Sequence, residues 1–209
     1  MLRLHTLALL VLASSCRERA APPGAGALET TPTASAVPKA PAAVSQQQIH
    51  GYPNGSVLVV DPAACRLQAI DGGAARWTRN YPTCAGLLEA AVARDSTVYA
   101  RAGRDLASLD KEGRERWRIQ VEGAELPRTI AAPTTLADSR VALAESPRSV
   151  TVFDADGRPA WRFSVPTEEA LVAPPQGLPT EGLALLTGAA SYVLGAEGEM
   201  RSRGAFAGK

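Results

Sequence analysis

The chain has 209 residues, room for one domain with accessory segments. Hydrophobic residues make up 45% of it, so a packed core is within reach, while aromatics are only 5% and are expected at structural positions. Lys and Arg number 22 against 21 Asp and Glu, and the net charge of +1 excludes both a polybasic patch and a field for gripping nucleic acid.

Residues 1–15 read as a targeting segment. Arg3 supplies a positive start, and Leu7 to Ala13 is an apolar run of signal-peptide length, too short to span a bilayer. The run ends in Leu12-Ala13-Ser14-Ser15-Cys16, which resembles the lipobox of bacterial lipoproteins, with Ala13 where that family most often has Leu. The resemblance implies cleavage before Cys16, a diacylglycerol on its sulfur and an acyl chain (palmitate) on its new amine. Several acyl chains anchor durably where one is marginal. Arg17 follows the cysteine in place of Asp, which resembles an outer-membrane address. The alternative is an ordinary secretory peptide cut near Ser15.

Residues 16–45 form the next segment, lipidated at its first residue and rich in Ala, Pro, Thr and Ser without apolar periodicity. Such a stretch buries too little surface to offset its ordering entropy, and its prolines favour an extended, semi-stiff spacer. Its expected role is a tether for the domain at residues 46–209.

That domain is internally repeated. Trp77, Trp117 and Trp161 follow Gly73, Gly113 and Gly157 at the same distance, and an apolar run closed by Asp71, Asp110 or Asp154 lies upstream of each glycine. A fourth, decayed copy keeps Gly198 but has Ser202 at the tryptophan position, and the four positions are spaced by 40, 44 and 41 residues. β-rich runs precede each copy (56–60, 96–100, 139–144, 182–186), with further apolar stretches such as 87–93 and 129–137 before them. Alternating residues follow each tryptophan. Period-two runs between Gly, Asp, Pro and Ser turns are hairpin strands, so each unit offers about four short strands. This suits a propeller blade.

The pattern D-x-x-G-x-x-x-W after an apolar strand resembles the PQQ-like β-propeller repeat. Its fullest copies are Asp110–Trp117 and Asp154–Trp161, while the copy from Asp71 is one residue short. The fold expected is therefore all-β, a propeller-like array of about four four-stranded blades, small or partial. A β-sandwich or irregular open array is the alternative. Four units can close as a small ring, form an open arc completed by a second chain, or belong to a truncated gene. Asp is expected to accept turn amides, Gly to supply positive φ, and Trp to pack on the neighbouring blade.

Cys65 and Cys84 form an even pair in an exported domain, which favours a disulfide over two unlinked thiols. Asp154-Ala155-Asp156-Gly157 looks like the start of a calcium loop but lacks the later ligands. His50 is the single histidine beyond the targeting segment, too few for a metal cluster or a triad. No catalytic residue, metal or cofactor is expected. Quinoprotein dehydrogenases of the resembled family use a larger propeller, calcium and often a disulfide between adjacent cysteines, whereas Cys65 and Cys84 are 19 apart.

The function expected is a non-catalytic protein-binding scaffold at the envelope, analogous in fold and location to the propeller lipoprotein of the outer-membrane β-barrel assembly machinery. The expected partners are the membrane, through the lipid, and envelope proteins, with a homo-oligomer formed through open blade edges as a further expectation. The alternatives are a small-ligand or glycan-binding surface lipoprotein and a degenerate quinoprotein relative.

Overall fold

The computed structural model describes residues 47–206 apart from 85, 122–125 and 181. The targeting segment, Cys16 and the tether lie outside the described residues. The rest forms four four-stranded antiparallel sheets, each ordered as its strands follow in the chain. Blade 1 holds β1 (Gln48–Gly51), β2 (Val57–Asp61), β3 (Arg66–Asp71) and β4 (Ala74–Asn80). Blade 2 holds β5 (Leu88–Val92), β6 (Val98–Ala102), β7 (Asp105–Leu109) and β8 (Glu115–Gln120). A short helix α1 (Arg128–Ala131) leads into blade 3, with β9 (Thr134–Thr135), β10 (Val141–Ser146), β11 (Ser149–Phe153) and β12 (Pro159–Ser164). Blade 4 holds β13 (Gln176–Gly177), β14 (Leu183–Leu186), β15 (Ala190–Leu194) and β16 (Met200–Ala205).

One expectation needs correction in detail. The apolar stretch 129–137 reads as one strand, yet it divides into α1 and the two-residue β9. Pro133 is the physical reason. The residue before a proline is pushed out of the α region, and Ala132 accordingly ends the helix in extended backbone, with ψ at 133°.

The burial pattern separates inner blades from outer ones. In blades 2 and 3 the central strands are covered on both faces: all five residues of β6 are buried, as are the first five of β10. In blades 1 and 4 the same strands alternate. β2 runs half-buried, buried, half-buried, buried, and β15 keeps Ala190, Tyr192 and Leu194 buried with Ser191 and Val193 half-buried between them. Three clusters fill the three gaps between consecutive blades. Leu58, Val60, Leu67 and Ala69 meet Leu88, Val98, Ala100 and Leu109 between blades 1 and 2. Tyr99 and Leu106 meet Val141, Leu143 and Phe153 between blades 2 and 3. Ala142, Val150 and Val152 meet Leu183, Leu185, Tyr192 and Leu194 between blades 3 and 4. Arg101 is fully buried in the middle gap, where its Nη1 donates to the carbonyls of Ala131 (3.2 Å) and Ala144 (3.1 Å). A buried guanidinium needs such acceptors, and here they tie blade 2 to α1 and to β10.

Each joint has the same clasp at its rim. The indole Nε1 of Trp77 donates to the Lys111 carbonyl at 3.0 Å, that of Trp117 to Ala155 at 2.7 Å, and that of Trp161 to Ala196 at 2.8 Å. Each acceptor sits in the outer hairpin turn of the next blade. The ring then lies flat on that turn's glycine. A Cβ at Gly113, Gly157 or Gly198 would stand 2.6, 2.8 and 2.8 Å from the tryptophan, and all three glycines have φ between 77° and 82°. Only glycine meets both conditions. The tryptophans are half-buried at these joints, not enclosed.

The turns themselves are closed by carboxylates. Asp110 Oδ1 accepts from the amides of Glu112 and Arg114, both at 2.9 Å, and Asp154 Oδ1 from those of Asp156 and Arg158, also at 2.9 Å. In blade 4 the aspartate position is Gly195, and the carboxylate of Glu199 folds into the vacated space. A Cβ at Gly195 would meet Glu199 Oε1 at 1.8 Å, and Glu199 Oε2 accepts the Glu197 amide at 3.2 Å. The hairpin after Asp71 is different. It turns on Gly72 and Gly73 alone, with φ of 56° and 83°, as a two-residue loop with positive φ at both positions requires.

Truncating one clasp should therefore unlock one joint. Trp161→Ala is expected to lose about 3 kcal/mol of stability by cavity formation. Gly198→Ala should also destabilise, because it drives a methyl into the same ring from a strained backbone. Urea unfolding of both variants checks this.

Candidate interaction surfaces

The inner strands β1, β5, β9 and β13 neighbour one another in that order, so they line the side of the array nearest its axis. At one end of this side lies a cavity of about 400 Å³ lined by Gln48, Pro62, Glu89, Arg128, Thr129, Ala132 and Pro174. Its walls come from the inner strands of blades 1 and 2, from the β2–β3 turn, from α1, and from the segment entering blade 4. The Gln48 Nε2 donates to Glu89 Oε2 at 2.6 Å. Burial pushes the Glu89 carboxyl above the usual carboxylate range, while the Gln48 hydrogen bond and the Arg128 charge pull it down. The cavity thus combines proline and alanine surface with one carboxylate, one amide and one guanidinium.

A second depression, of about 420 Å³, opens between blades 2 and 3. Ile119, Phe153 and Pro159 give it an apolar floor, and Glu145, Thr151 and Arg162 form a polar wall. Thr151 Oγ1 donates to Glu145 Oε2 at 2.5 Å, and Arg162 pairs with the same carboxylate. Beside blade 4 the acid is Glu169, from the connection between β12 and β13, held by Thr187 Oγ1 and by Arg203, each at 2.6 Å. Its carboxyl is kept below the usual range by the Thr187 and Arg203 hydrogen bonds. These groups close the gaps from the side, and each has its partners already.

The outer strands β4, β8, β12 and β16 present unpaired backbone edges. They also carry arginine and glutamate. Arg79 pairs with Glu115 across the first joint, and Arg118 with Glu115 (2.8 Å) and Asp105 (2.9 Å). Exposed pairs of this kind add little stability, but charge on an edge discourages unwanted strand pairing.

Among the predicted residues, Cys65 and Cys84 are joined in a disulfide with Cα atoms 5.7 Å apart. The bridge ties the β2–β3 turn to the approach to blade 2. Trp77, Trp117 and Trp161 lie at the three joints against Gly113, Gly157 and Gly198, and Asp110 and Asp154 close the turns beneath them. Asp71 and Gly73 stand at the corresponding hairpin of blade 1, where the Cβ direction of Gly73 meets no atom of the described residues within 4 Å. Among the described residues, no group of three or more His, Cys, Asp and Glu side chains could hold a metal ion. Sequence reasoning missed the axial cavity, because Gln48, Glu89, Arg128 and Pro174 are brought together only by the repeat's curvature. It also missed a second set of turns on the inner hairpins. There Asn54, Asp95 and Asp138 accept from the amides of Ser56, Thr97 and Arg140 at 3.0–3.1 Å. Gly55, Ser96 and Ser139 beside them take positive φ. The spacings 54, 95 and 138 echo the tryptophan period and carried this signal.

Two outcomes follow. A carboxyl with a raised folded pKa binds more protons when folded, so its contribution falls as pH rises from the ordinary Glu value through the raised one. Glu89→Gln should therefore stabilise the domain modestly at neutral pH and flatten that part of the profile, measured by urea titration across pH. Reducing the Cys65–Cys84 bridge should cost about 3 kcal/mol in the loop-entropy picture, read in the same assay with and without reductant.

A family of proteins described as outer membrane protein assembly factor BamB matches residues 54–209. No curated protein matches the chain. Among solved structures, BamB from Moraxella catarrhalis superimposes with a TM-score of 0.60 at 16% identity, over 77% of this chain and 53% of that one. A virginiamycin B lyase from Staphylococcus aureus gives 0.63 at 12% identity, over 80% and 58%. Both are similar in fold, and the chain spans little more than half the length of each. The clasped joints, the Asp-closed turns and the match over residues 54–209 agree: this chain belongs to the BamB family of PQQ-like propeller repeats.

Proposed function

We propose that the protein is an envelope lipoprotein, anchored through Cys16, whose propeller array is a non-catalytic scaffold for other envelope proteins. Family membership across residues 54–209 is the observation that carries this reading. The axial cavity supports it as the docking place. Its concave, proline-lined surface and its few polar groups suit an extended peptide segment, which would be held by hydrogen bonds to Gln48 and Glu89 and by the Arg128 charge. Arrays of this kind bind through loops and grooves displayed by a rigid frame. The tether of residues 16–45 would give the array reach from the lipid surface. Outer-membrane β-barrel assembly components are the partner class, by analogy with the family's description.

Two measurements test this. In cells fed labelled palmitate, the full chain is expected to carry label and sediment with membranes, and Cys16→Ser is expected to lose both. A photo-crosslinking residue at Thr129 is expected to trap an envelope protein, and the reversed charge of Arg128→Glu should abolish the adduct. Label that survives Cys16→Ser would overturn the anchor. Absence of any Thr129 adduct, with adducts forming elsewhere on the array, would overturn the docking site.

A further inference from the structure

The two outward faces of the array are built as joints. On blade 1, the face turned away from blade 2 carries Ile49, Val57, Val59, Gln68 and Ile70, and the register places Ile49 opposite Val59 and Val57 opposite Ile70. In blade 2 the same positions are Ala90, Val98, Ala100, Ala107 and Leu109, all buried against blade 1. On blade 1 these residues are half-exposed, and Ile49 is 70% exposed.

Blade 4 presents the complementary face. Ala184, Val193 and Ser202 lie opposite one another, as do Leu186, Ser191 and Gly204. The matching positions in blade 3 are Ala142, Val152 and Trp161, and Ala144, Val150 and Phe163, which together cover blade 4. On blade 4 they are half-buried or exposed: Leu186 is 39% exposed, and every residue of β16 is exposed. Among the described residues the repeated clasp does not close the array on itself, since Ser202 stands in place of tryptophan and a Cβ on Gly73 would meet no described atom within 4 Å.

We infer that a second copy of this chain covers both faces, the blade 4 of each copy packing on the blade 1 of the other. Three observations commit the occupant. The contact continues an interface that the molecule already makes three times, from one face type to the other. Among the described residues each copy shows one uncovered face of each type, so a second copy supplies both complements at once, and a head-to-tail contact repeated twice closes under a two-fold axis. Four blades from each copy give eight, within the usual range for closed propellers. Where Trp161 and Phe163 project in blade 3, Ser202 and Gly204 carry little or no side chain, and the half-buried Ile70 of a partner copy, at the position of Leu194 in the existing joint, supplies an apolar side chain to that space. This inference is independent of the scaffold reading.

The test is sedimentation equilibrium of the full chain in density-matched detergent, which reads protein mass alone, together with two surface variants. Ile49→Asp and Leu186→Asp change exposed positions, and an unchanged near-UV spectrum confirms that each still folds. The expected result is a two-chain mass that dissociates on dilution and falls to one chain in either variant. A further check mixes a Ser202→Cys copy with a differently tagged Gln68→Cys copy, and a disulfide should link the two kinds in preference to two Ser202→Cys copies. A single-chain mass at every concentration would overturn the inference. So would head-to-tail chains that keep growing, or a two-chain species indifferent to both charged substitutions.

Discussion

The clasp between a tryptophan and the glycine of the next blade's outer turn is the contact on which the array depends. One indole does three things there. It covers a glycine that no larger residue could replace, donates its N–H to the turn carbonyl, and seals the rim of an apolar gap. The turn must be rigid to receive it, and that is the task of the Asp110 and Asp154 carboxylates. Where the aspartate is lost, at Gly195, Glu199 supplies the carboxylate from four residues further on, and the glycine makes room for it. The turn has outlived its own signature residue because the clasp still needs a rigid seat.

Repetition of one joint gives a quasi-one-dimensional molecule, in which each blade is stabilised by its neighbours rather than by a common centre. Burial follows from this. Central strands in blades 2 and 3 are apolar on both faces, while those in blades 1 and 4 alternate. Interior residues such as Arg101 tie one blade to the next through backbone carbonyls. The same logic leaves two faces of opposite type at the two ends of the series, and it curves the inner strands around a cavity with walls from several blades.

Much of the fold was legible in the sequence because hairpin strands announce themselves locally. The runs before Asp71, Asp110 and Asp154 alternate or are apolar, and glycines and aspartates punctuate them. The clasp partners were legible as a motif, although which glycine each tryptophan covers is a tertiary fact. Reading failed where a residue acts at a distance or through compensation. The stretch 129–137 looked continuous, but Pro133 broke it. The fourth copy read as decayed, and Glu199, which no motif singles out, proves to replace its aspartate. Ser96 and Ser139 gave no hint of positive φ, because that conformation is imposed by the Asp95 and Asp138 side chains accepting amides two residues on. The candidate site was the least legible part, since Gln48, Glu89, Arg128 and Pro174 are far apart in the chain and belong to no motif.

Stability passes from blade to blade through these joints. Hydrogen exchange read by mass spectrometry, comparing the protein with its Trp117→Ala variant, tests it most directly. Protection is expected to fall on both sides of the middle joint, in β7 and β8 of blade 2 and in β10 and β11 of blade 3, while β2 and β3 of blade 1 keep theirs. Protection lost evenly across all four blades, or lost in blade 2 alone, would contradict it.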